Sequence, residues 1–202
     1  MRIRLSSKRH IPIFDSLGRE YYAWNIIDLA SDHVRFNKYR RFYPLNVDFD
    51  YSTWALITLE YNLWKRFYLP ARPLGEDAVI LDAGAGAGET ILFYSNYGYH
   101  NFVAVENDLA KCRKIEANTK HLNVELYRRA FRVEDLNNID YAKLDIEGGE
   151  KELLQLEKLP CELTVEIHGA NLLEKLMGKF PLNVVYRLGL PDEPVFIAKS
   201  AL

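Results

Sequence analysis

The sequence predicts an α/β protein with a doubly wound, mostly parallel sheet of seven strands that closes with a C-terminal antiparallel hairpin. First, from residue 78 onward, short apolar segments alternate with segments of helical periodicity, a pattern typical of parallel strands joined by helices. Second, a glycine-rich turn separates the first of these strands from its helix. Third, turn residues around Gly189 and Pro191 separate the last two apolar segments and predict the hairpin.

The chain of 202 residues suits one such core with an extension, and Pro70, Pro73 and Gly75 predict the boundary between them. We expect residues 1–75 to form a helical extension that shapes an acceptor site or an interface, for example in a homodimer. Residues 76–202 are expected to form the core. No apolar run is long enough to span a bilayer, and the basic start lacks the apolar segment of a signal peptide. With two isolated cysteines as well, we expect a cytoplasmic protein.

Two helices are predicted in the extension, over residues 21–34 and from Asp50 to about residue 69. The second carries a stripe of large apolar side chains at helical spacing, which predicts a face buried in the core rather than a cofactor site. The stripe consists of Trp54, Ile57, Tyr61, Trp64 and Tyr68.

Charge is unevenly distributed along the chain. Residues 1–75 hold 12 Lys and Arg against 7 Asp and Glu, whereas the remainder holds 14 against 21. The basic portion fits either an anionic acceptor, such as a nucleic acid, or docking on the acidic core. Within it, residues 35–43 interleave basic and aromatic side chains, for which surface packing is favoured over nucleic-acid stacking.

A glycine-rich turn follows the first core strand. Residues 79–82 read V-I-L-D, and Gly84, Gly86 and Gly88 stand at alternate positions before a helical segment that starts at Glu89. Glycine lets a ligand approach the backbone closely, and a helix N-terminus offers unpaired N–H groups and a positive dipole end. Strand, turn and helix together predict a site for a nucleotide-type ligand.

The spacing of this turn distinguishes between two cofactors. A dinucleotide turn of the G-x-G-x-x-G type needs a small residue in the sixth place, which Glu89 occupies here. The spacing D-x-G-x-G-x-G instead resembles motif I of class I S-adenosylmethionine (SAM) methyltransferases, whose fold is Rossmann-like. SAM carries a sulfonium and an ammonium group but no phosphate, so an acidic rim at Asp82 and Glu89 suits it. We therefore expect SAM rather than NAD.

Further cofactor contacts are expected after the second and third strands. Glu106 ends the second strand, 24 residues after Asp82, where doubly wound folds place an acidic acceptor for ribose hydroxyls. Ala130 and Phe131 follow the third strand, where this architecture places an adenine. The predicted cofactor-binding residues are Asp82, Gly84, Ala85, Gly86, Gly88, Glu89, Glu106, Asn107, Ala130, Phe131 and Asp145.

Polar side chains after the fourth and fifth strands are the candidate catalytic residues. Asp145 and Glu147 are expected to share one face of the fourth strand and to point into the cleft. His168 ends the fifth strand, on the same face as Glu166, and is a residue type suited to a general base or a metal ligand. These groups suit removal of a proton from an acceptor hydroxyl or binding of a divalent cation that orients it. The alternatives are structural: Asp145 anchors a loop, Glu147 caps the next helix, and His168 is a hydrogen-bonded structural residue.

Residues 143–150, K-L-D-I-E-G-G-E, resemble the K-[IL]-D-[IV]-E-G-x-E segment of the FkbM family of methyltransferases. Ala130 matches the alanine that this family has after its third strand. The resemblance covers residues 78–170 and implies O-methylation of a hydroxyl on a small molecule, sugar or lipid. The chain departs from the family at Gly86, where the family has asparagine, and at Asn107, where it has proline.

Two other functions stay open. Residues 106–108, E-N-D, with Asn118 further on, also resemble tRNA guanine methyltransferases, and the basic N-terminal portion suits RNA. The fourth strand, however, is not followed by the Asn/Asp-Pro-Pro segment of enzymes that methylate base amines. The second alternative is a protein that has kept the SAM fold for binding and does not turn over.

Overall fold

The computed structural model describes residues 12–14, 20–22, 39–44, 46–189 and 193–200. The strands are β1 (Pro12–Phe14), β2 (Glu20–Tyr22), β3 (Val79–Ala83), β4 (Asn101–Val105), β5 (Asn123–Tyr127), β6 (Tyr141–Leu144), β7 (Glu162–His168), β8 (Leu182–Gly189) and β9 (Pro194–Ser200). The α-helices are α1 (Tyr51–Leu63), α2 (Glu89–Ser95), α3 (Leu109–Thr119) and α4 (Ala170–Lys179). Short 3₁₀ helices cover Val133–Leu136 and Gly149–Gln155.

The main sheet has seven strands in the order β5-β4-β3-β6-β7-β9-β8. The first five are parallel, and β9 runs antiparallel to both of its neighbours. The predicted doubly wound sheet with a closing hairpin is therefore confirmed. The strand order reverses between β3 and β6, the position at which open α/β sheets bind ligands beyond their carboxyl ends.

The inner strands β3 and β4 are buried on both faces over almost their whole length, which explains why they are mostly apolar, whereas the edge strand β5 is partly exposed. Ile80 belongs to the hydrophobic cluster on one face, together with Phe102 of β4. The next residue, Leu81, belongs to the cluster on the other face, together with Val103. Helices cover both faces, as the alternation of elements predicts.

Part of the extension differs from the helical prediction. Tyr21 and Tyr22 lie in β2, where they pair antiparallel with Ile13 and Pro12, so a helix does not begin at residue 21. Adjacent aromatic residues favour strands, and here a partner strand is present. The basic segment at residues 1–10, the rest of the predicted helix, residues 35–38 and the hairpin turn at residues 190–192 lie outside the described residues.

The second predicted helix of the extension is present as α1. The carboxylate of Asp50 caps it by accepting a hydrogen bond from the Thr53 N–H (2.9 Å). The helix ends at Leu63 and continues as a π-helical turn, Trp64–Tyr68, before Pro70 stops it. The sequence pattern predicted helix to residue 69 but not this change of helix type.

Side chains of the core donate hydrogen bonds to carbonyl groups at the end of the π-helical turn. The Thr164 hydroxyl donates to the Phe67 carbonyl (3.1 Å), and the Tyr94 hydroxyl donates to the Tyr68 carbonyl (2.9 Å). The end of the extension is thereby attached to β7 and α2 by hydrogen bonds as well as by packing.

The aromatic stripe of α1 is core, as predicted. Ile57, Tyr61, Trp64 and Tyr68 are buried and Trp54 is partly buried, and the rings of Tyr61 and Trp64 make T-shaped contacts with Phe93 on α2. In the described part of the basic and aromatic segment, Tyr39 and Tyr43 are buried and Phe42 stacks on Tyr61. This part packs against the core. Among the described residues, no helix combines the length and apolar character needed to cross a bilayer.

Candidate active site

A cavity of about 590 Å³ opens at the carboxyl ends of the central strands. Each of four strands supplies a residue to it at or just after its last position: Gly84, Glu106, Asp145 and His168. Helix α1 adds Leu56 and Glu60 on the side of the extension. The cavity lies where the strand order reverses, as expected for a ligand site in this fold.

The glycine turn is shaped by two close approaches. Gly84 has a φ of +74°, and a Cβ built there would lie 1.8 Å from the carbonyl oxygen of Asp145. Gly86 has a φ of +57°, and its Cβ would lie 2.5 Å from the carboxylate of Glu89. Only glycine fits either position without displacing a neighbour. The turn therefore lies directly against the end of β6 and the start of α2.

Glu106 is fixed beside this turn. Its carboxylate accepts hydrogen bonds from the backbone N–H groups of Gly86 (3.0 Å) and Asp108 (2.9 Å). Glu106 is buried yet lines the cavity, and the exposed Asn107 lines it next to Glu106. A rigid carboxylate at this strand end has the geometry to accept hydrogen bonds from a diol.

Residues after β5 form the far wall of the cavity. Ala130 and Phe131 both line it, and their contact with an adenine stays a prediction. Arg129 lines it too, and its guanidinium forms two hydrogen bonds with the carboxylate of Asp135 (2.8 and 2.5 Å) over the ring of Tyr127. This pairing holds the wall in place.

Asp82 was predicted as part of an acidic rim but lies behind the cavity. It is fully buried and forms an ion pair with Lys143 Nζ (3.1 Å), which also donates to the Gly84 carbonyl (2.9 Å). Burial raises the pKa of Asp82. Burial lowers the pKa of Lys143, but the carboxylates of Asp82 and Asp145 outweigh it, so this pKa is raised. Lys143 thus joins the glycine turn to the end of β6.

Two other predicted cofactor residues also lie outside the cavity lining. Ala85 is fully buried in the turn. Gly88, with a φ of +85°, precedes α2 and packs against Thr119 and Ile115 of α3. Both residues shape the turn from behind because its ligand-facing positions are Gly84 and Gly86.

Glu89 is the acidic residue of the rim that does line the cavity. It is the first residue of α2, and its carboxylate accepts a hydrogen bond from the Ala87 N–H (2.7 Å). Burial raises the pKa of Glu89 to about 7. A positively charged ligand group beside it would favour its ionised form.

The cavity is lined on the side of β6 and β7 by the three predicted catalytic residues, Asp145, Glu147 and His168, whereas Glu106 and Ala130 line it on the side of β4 and β5. The expectation that Asp145 and Glu147 share one face of β6 is wrong, because this strand ends at Leu144 and strand alternation reaches neither residue. Glu147 instead lies exposed in a turn with a φ of +46°. Its place in the cavity wall results from this turn.

His168 is held by a carboxylate that is fully buried. Its Nδ1 lies 2.8 Å from Glu150 Oε1, and the other oxygen of Glu150 accepts from the Gly148 N–H (2.9 Å). The hydrogen bond to Glu150 raises the pKa of His168, against the effect of burial. Since Nδ1 is engaged, Nε2 is the nitrogen available to a ligand.

Two further carboxylates face the same space. The Tyr68 hydroxyl donates to Glu166, and burial raises the pKa of Glu166 to about 7. Trp64 donates to Glu60 (3.3 Å), and the pKa of Glu60 is raised by burial and by the charges of Glu166 and Asp145. One ligand atom each from Asp145, Glu166 and His168 lies within 4.8 Å of the other two.

The extension also contacts the cofactor end of the cavity. The Asp48 N–H donates to the Asn118 side chain (2.6 Å), which itself donates to the Ala87 carbonyl in the glycine turn (2.9 Å). Asn118 is buried on α3. One side chain therefore links the extension, α3 and the turn.

Sequence reasoning missed Glu60 and did not assign a role to Glu150. Glu60 had a weak signal, because it is the one acidic residue inside the apolar stripe of α1. Glu150 belongs to the K-L-D-I-E-G-G-E segment, but its contact with His168 joins residues 18 positions apart and depends on the tertiary fold.

No protein-family model and no curated protein matches the sequence. Solved structures do. A human methyltransferase 10 domain containing protein is similar with a TM-score of 0.57 and 18% identity, over 86% of this chain and 96% of that one. The N-terminal domain of human METTL16 in complex with SAH is similar with a TM-score of 0.56 and 15% identity, over 94% and 88% of the two chains. At these identities the likeness establishes the fold, which is that of SAM-dependent methyltransferases.

Proposed function

We propose that this chain is a SAM-dependent methyltransferase that methylates a hydroxyl group of a small molecule, sugar or lipid. The observation that carries the proposal is a single cavity with two chemically different ends. One end has the glycine turn and the fixed carboxylate of Glu106, and the other has Asp145, Glu147 and His168. The K-L-D-I-E-G-G-E resemblance to the FkbM family supports a hydroxyl acceptor.

In the proposed complex, SAM occupies the end at the glycine turn. The ribose hydroxyls donate to Glu106, and the adenine lies against Ala130 and Phe131. Glu89 faces the positively charged methionine end of the cofactor, where its carboxylate is ionised. The similarity to a methyltransferase structure in complex with SAH supports SAM as the cofactor.

Methyl transfer is an in-line displacement that needs the acceptor oxygen aligned with the sulfonium methyl group. A hydroxyl acceptor also loses its proton as the new bond forms. Asp145, Glu147 and His168 lie at the acceptor end, and we assign them the orientation and deprotonation of the hydroxyl.

The charge of the acceptor end favours a neutral acceptor over a polyanion. Glu60, Glu166, Asp145 and Glu147 line it, so a phosphate group entering there would meet several carboxylates. RNA remains the second candidate, supported by the excess of five positive charges in residues 1–75. A SAM-binding protein without turnover is the third.

Calorimetric titration with SAM, SAH and NAD tests the cofactor. We expect the wild-type protein to bind SAM and SAH, and Glu106→Ala to weaken both by about tenfold or more, because a charged hydrogen bond to the ribose is lost. Glu125→Ala, which removes an exposed carboxylate of β5 outside the cavity, is the matched control and should bind normally. Binding of NAD without SAM would overturn the proposal.

Formation of SAH from SAM, measured with sugar, catechol and tRNA acceptors, tests the acceptor class. We expect turnover with a hydroxyl compound, and Asp145→Asn should lose turnover while it still binds SAM. Turnover with tRNA, together with tRNA binding that falls steeply with salt, would favour the second candidate. SAM binding with no turnover on any acceptor would favour the third.

A further inference from the structure

We propose that Asp145, Glu166 and His168 form a binding site for one divalent cation of the Mg²⁺ or Mn²⁺ class. Their ligand atoms lie within 4.8 Å of one another, close enough to share one ion. Asp145 directly follows the last residue of β6, and Glu166 and His168 lie at the end of β7, the strand that pairs with β6. The role given to the ion below rests on the proposed function, whereas its binding does not.

The donor set fits such a cation and leaves room for a substrate. Two carboxylates supply the oxygen donors that Mg²⁺ and Mn²⁺ prefer, and the imidazole adds a nitrogen donor of the kind that transition-metal ions accept, which favours Mn²⁺ over Mg²⁺. Three protein ligands fill half of an octahedral shell. Because all three residues line the cavity, the remaining positions face the space assigned to the acceptor.

The charges around the site are unbalanced without a cation. Asp145, Glu166 and Glu60 all line this end of the cavity. Among the described residues, the only lysine or arginine within ion-pair distance of these carboxylates is Lys143, 3.9 Å from Asp145. Lys143 is already paired with Asp82 at 3.1 Å. Carboxylates this close together in a half-buried site repel one another, and a bound cation would stabilise them.

One carboxylate oxygen of Glu166 is available to bind a metal ion. Its Oε1 accepts from the Tyr68 hydroxyl, and the described residues place no hydrogen-bond donor on Oε2. The Tyr68 contact fixes the direction of the side chain while the second oxygen stays available.

The contact between Glu150 and His168 is an independent observation in favour of a metal ligand. Metal-binding histidines commonly donate their other ring N–H to a carboxylate, which fixes the tautomer and the ring orientation. Here Nδ1–H donates to the buried Glu150, which leaves the Nε2 lone pair for the ion. Glu150 lies outside the three ligands and acts only through His168.

A cation at this site would act on the acceptor hydroxyl. Bound to the ion, the hydroxyl would have a lowered pKa and would release its proton to solvent, so that Asp145 and His168 would act on it through the ion and not as the base. The oxygen then forms its bond to the methyl carbon as the carbon–sulfur bond of SAM breaks, giving the methyl ether and SAH. An acceptor with two adjacent hydroxyls would fill two of the open positions.

Titration of the chelator-treated full chain with Mn²⁺, without SAM or acceptor, tests the site. We expect one Mn²⁺ per chain by electron paramagnetic resonance or calorimetry. Glu166→Gln and His168→Gln should each weaken binding by about tenfold or more, since each removes one ligand. Glu152→Gln changes a carboxylate of the same cavity outside the three ligands, so it should bind Mn²⁺ like the wild type.

Absence of saturable Mn²⁺ binding by the folded wild-type protein would overturn the inference, as would equal binding by the wild type and both ligand variants. Absence of Mn²⁺ binding is the result expected if these carboxylates serve to bind a cationic amine acceptor instead of a metal ion. Circular dichroism checks that each variant folds, and Asp145→Asn replaces any that does not. Mn²⁺ binding without SAM binding would keep the site and reject the proposed function, and the reverse would reject only the site.

Discussion

Gly84 illustrates how one backbone contact determines a residue type in the site. Its φ of +74° disfavours any other residue, and the carbonyl oxygen of Asp145 occupies the position where a Cβ would lie. The same contact places the cofactor turn against the first acceptor-side residue. The two ends of the cavity are therefore joined through Gly84.

We predict that Gly84→Ala lowers the free energy of unfolding by about 3 kcal/mol or more, because it adds a steric clash to the backbone strain. Gly98→Ala is the matched control, since Gly98 has a φ of +89° but no atom within 4 Å of its Cβ position. The free energy of unfolding of the control should fall by only about 1–2 kcal/mol, which is the cost of placing alanine in the left-handed conformation. Urea denaturation measures both, and equal losses would show that the contact with Asp145 is unimportant.

Glu89 combines a cost in stability with a place in the cofactor site. Burial raises its pKa from 4.5 to about 7, so the unfolded chain releases this proton at lower pH than the folded chain does. Ionisation then favours the unfolded state as pH rises from about 4.5 to 7. The charged groups that also act on it are Lys143 and Asp82.

We predict that Glu89→Gln becomes more stable than the wild type across this pH range. The two proteins should have similar unfolding free energies at pH 4.5, and the variant should gain an advantage that reaches its limit above pH 7. Denaturation at pH 5, 6, 7 and 8 measures the difference. The variant should also bind SAM more weakly, because the cofactor's positive groups lose an ionised partner. If the difference in unfolding free energy between Glu89→Gln and the wild type does not change with pH, the pKa of Glu89 is not raised by burial.

At the scale of elements, Asn118 on α3 connects parts of the chain that are distant in sequence. It accepts from Asp48 of the extension and donates to Ala87 of the glycine turn, and it is buried. Loss of this side chain leaves the Asp48 N–H and the Ala87 carbonyl without this partner.

We predict that Asn118→Ala lowers the free energy of unfolding by about 1–3 kcal/mol and weakens SAM binding, because the cofactor turn loses a support. Asn123→Ala removes the exposed contact between Asn123 and Asn101 (3.0 Å) and serves as the control. The control should change stability by about 0.5 kcal/mol or less. Thermal denaturation with and without SAM measures both effects. Unchanged SAM affinity in Asn118→Ala would show that the link through Asn118 between the extension and the glycine turn does not affect cofactor binding.

How much the sequence predicts depends on how local the signal is. The strands and the glycine turn follow from short patterns, and Glu106 follows from its place at a strand end. The pairing of His168 with Glu150 and the approach of Glu60 to Glu166 join different elements, so no local pattern contains them. The sequence also does not predict that β6 ends at Leu144, because acidic and apolar residues alternate over residues 145–147 as they would in a strand.

At the scale of the whole molecule, the extension and the core share one hydrophobic cluster. Tyr43 and Trp64 from the extension belong to it together with Ile80, Phe93 and Phe102 from the core. Hydrogen bonds from Thr164, Tyr94 and Lys199 to the carbonyls of residues 67–69 add to this attachment. The boundary at residue 75 stays a prediction, and this packing gives a way to test it.

We predict that the described part of the extension unfolds together with the core in one transition. All three tryptophans, Trp24, Trp54 and Trp64, lie in residues 1–75, so their fluorescence reports on the extension. Far-UV circular dichroism reports mainly on the helices and strands of the core. In urea the two signals should give the same midpoint and slope, because removing the extension would expose the apolar cluster around Phe93. SAM should raise both midpoints equally, since it binds only the folded unit. A fluorescence transition at lower urea than the dichroism transition would instead mean that residues 1–75 unfold independently of a stable core.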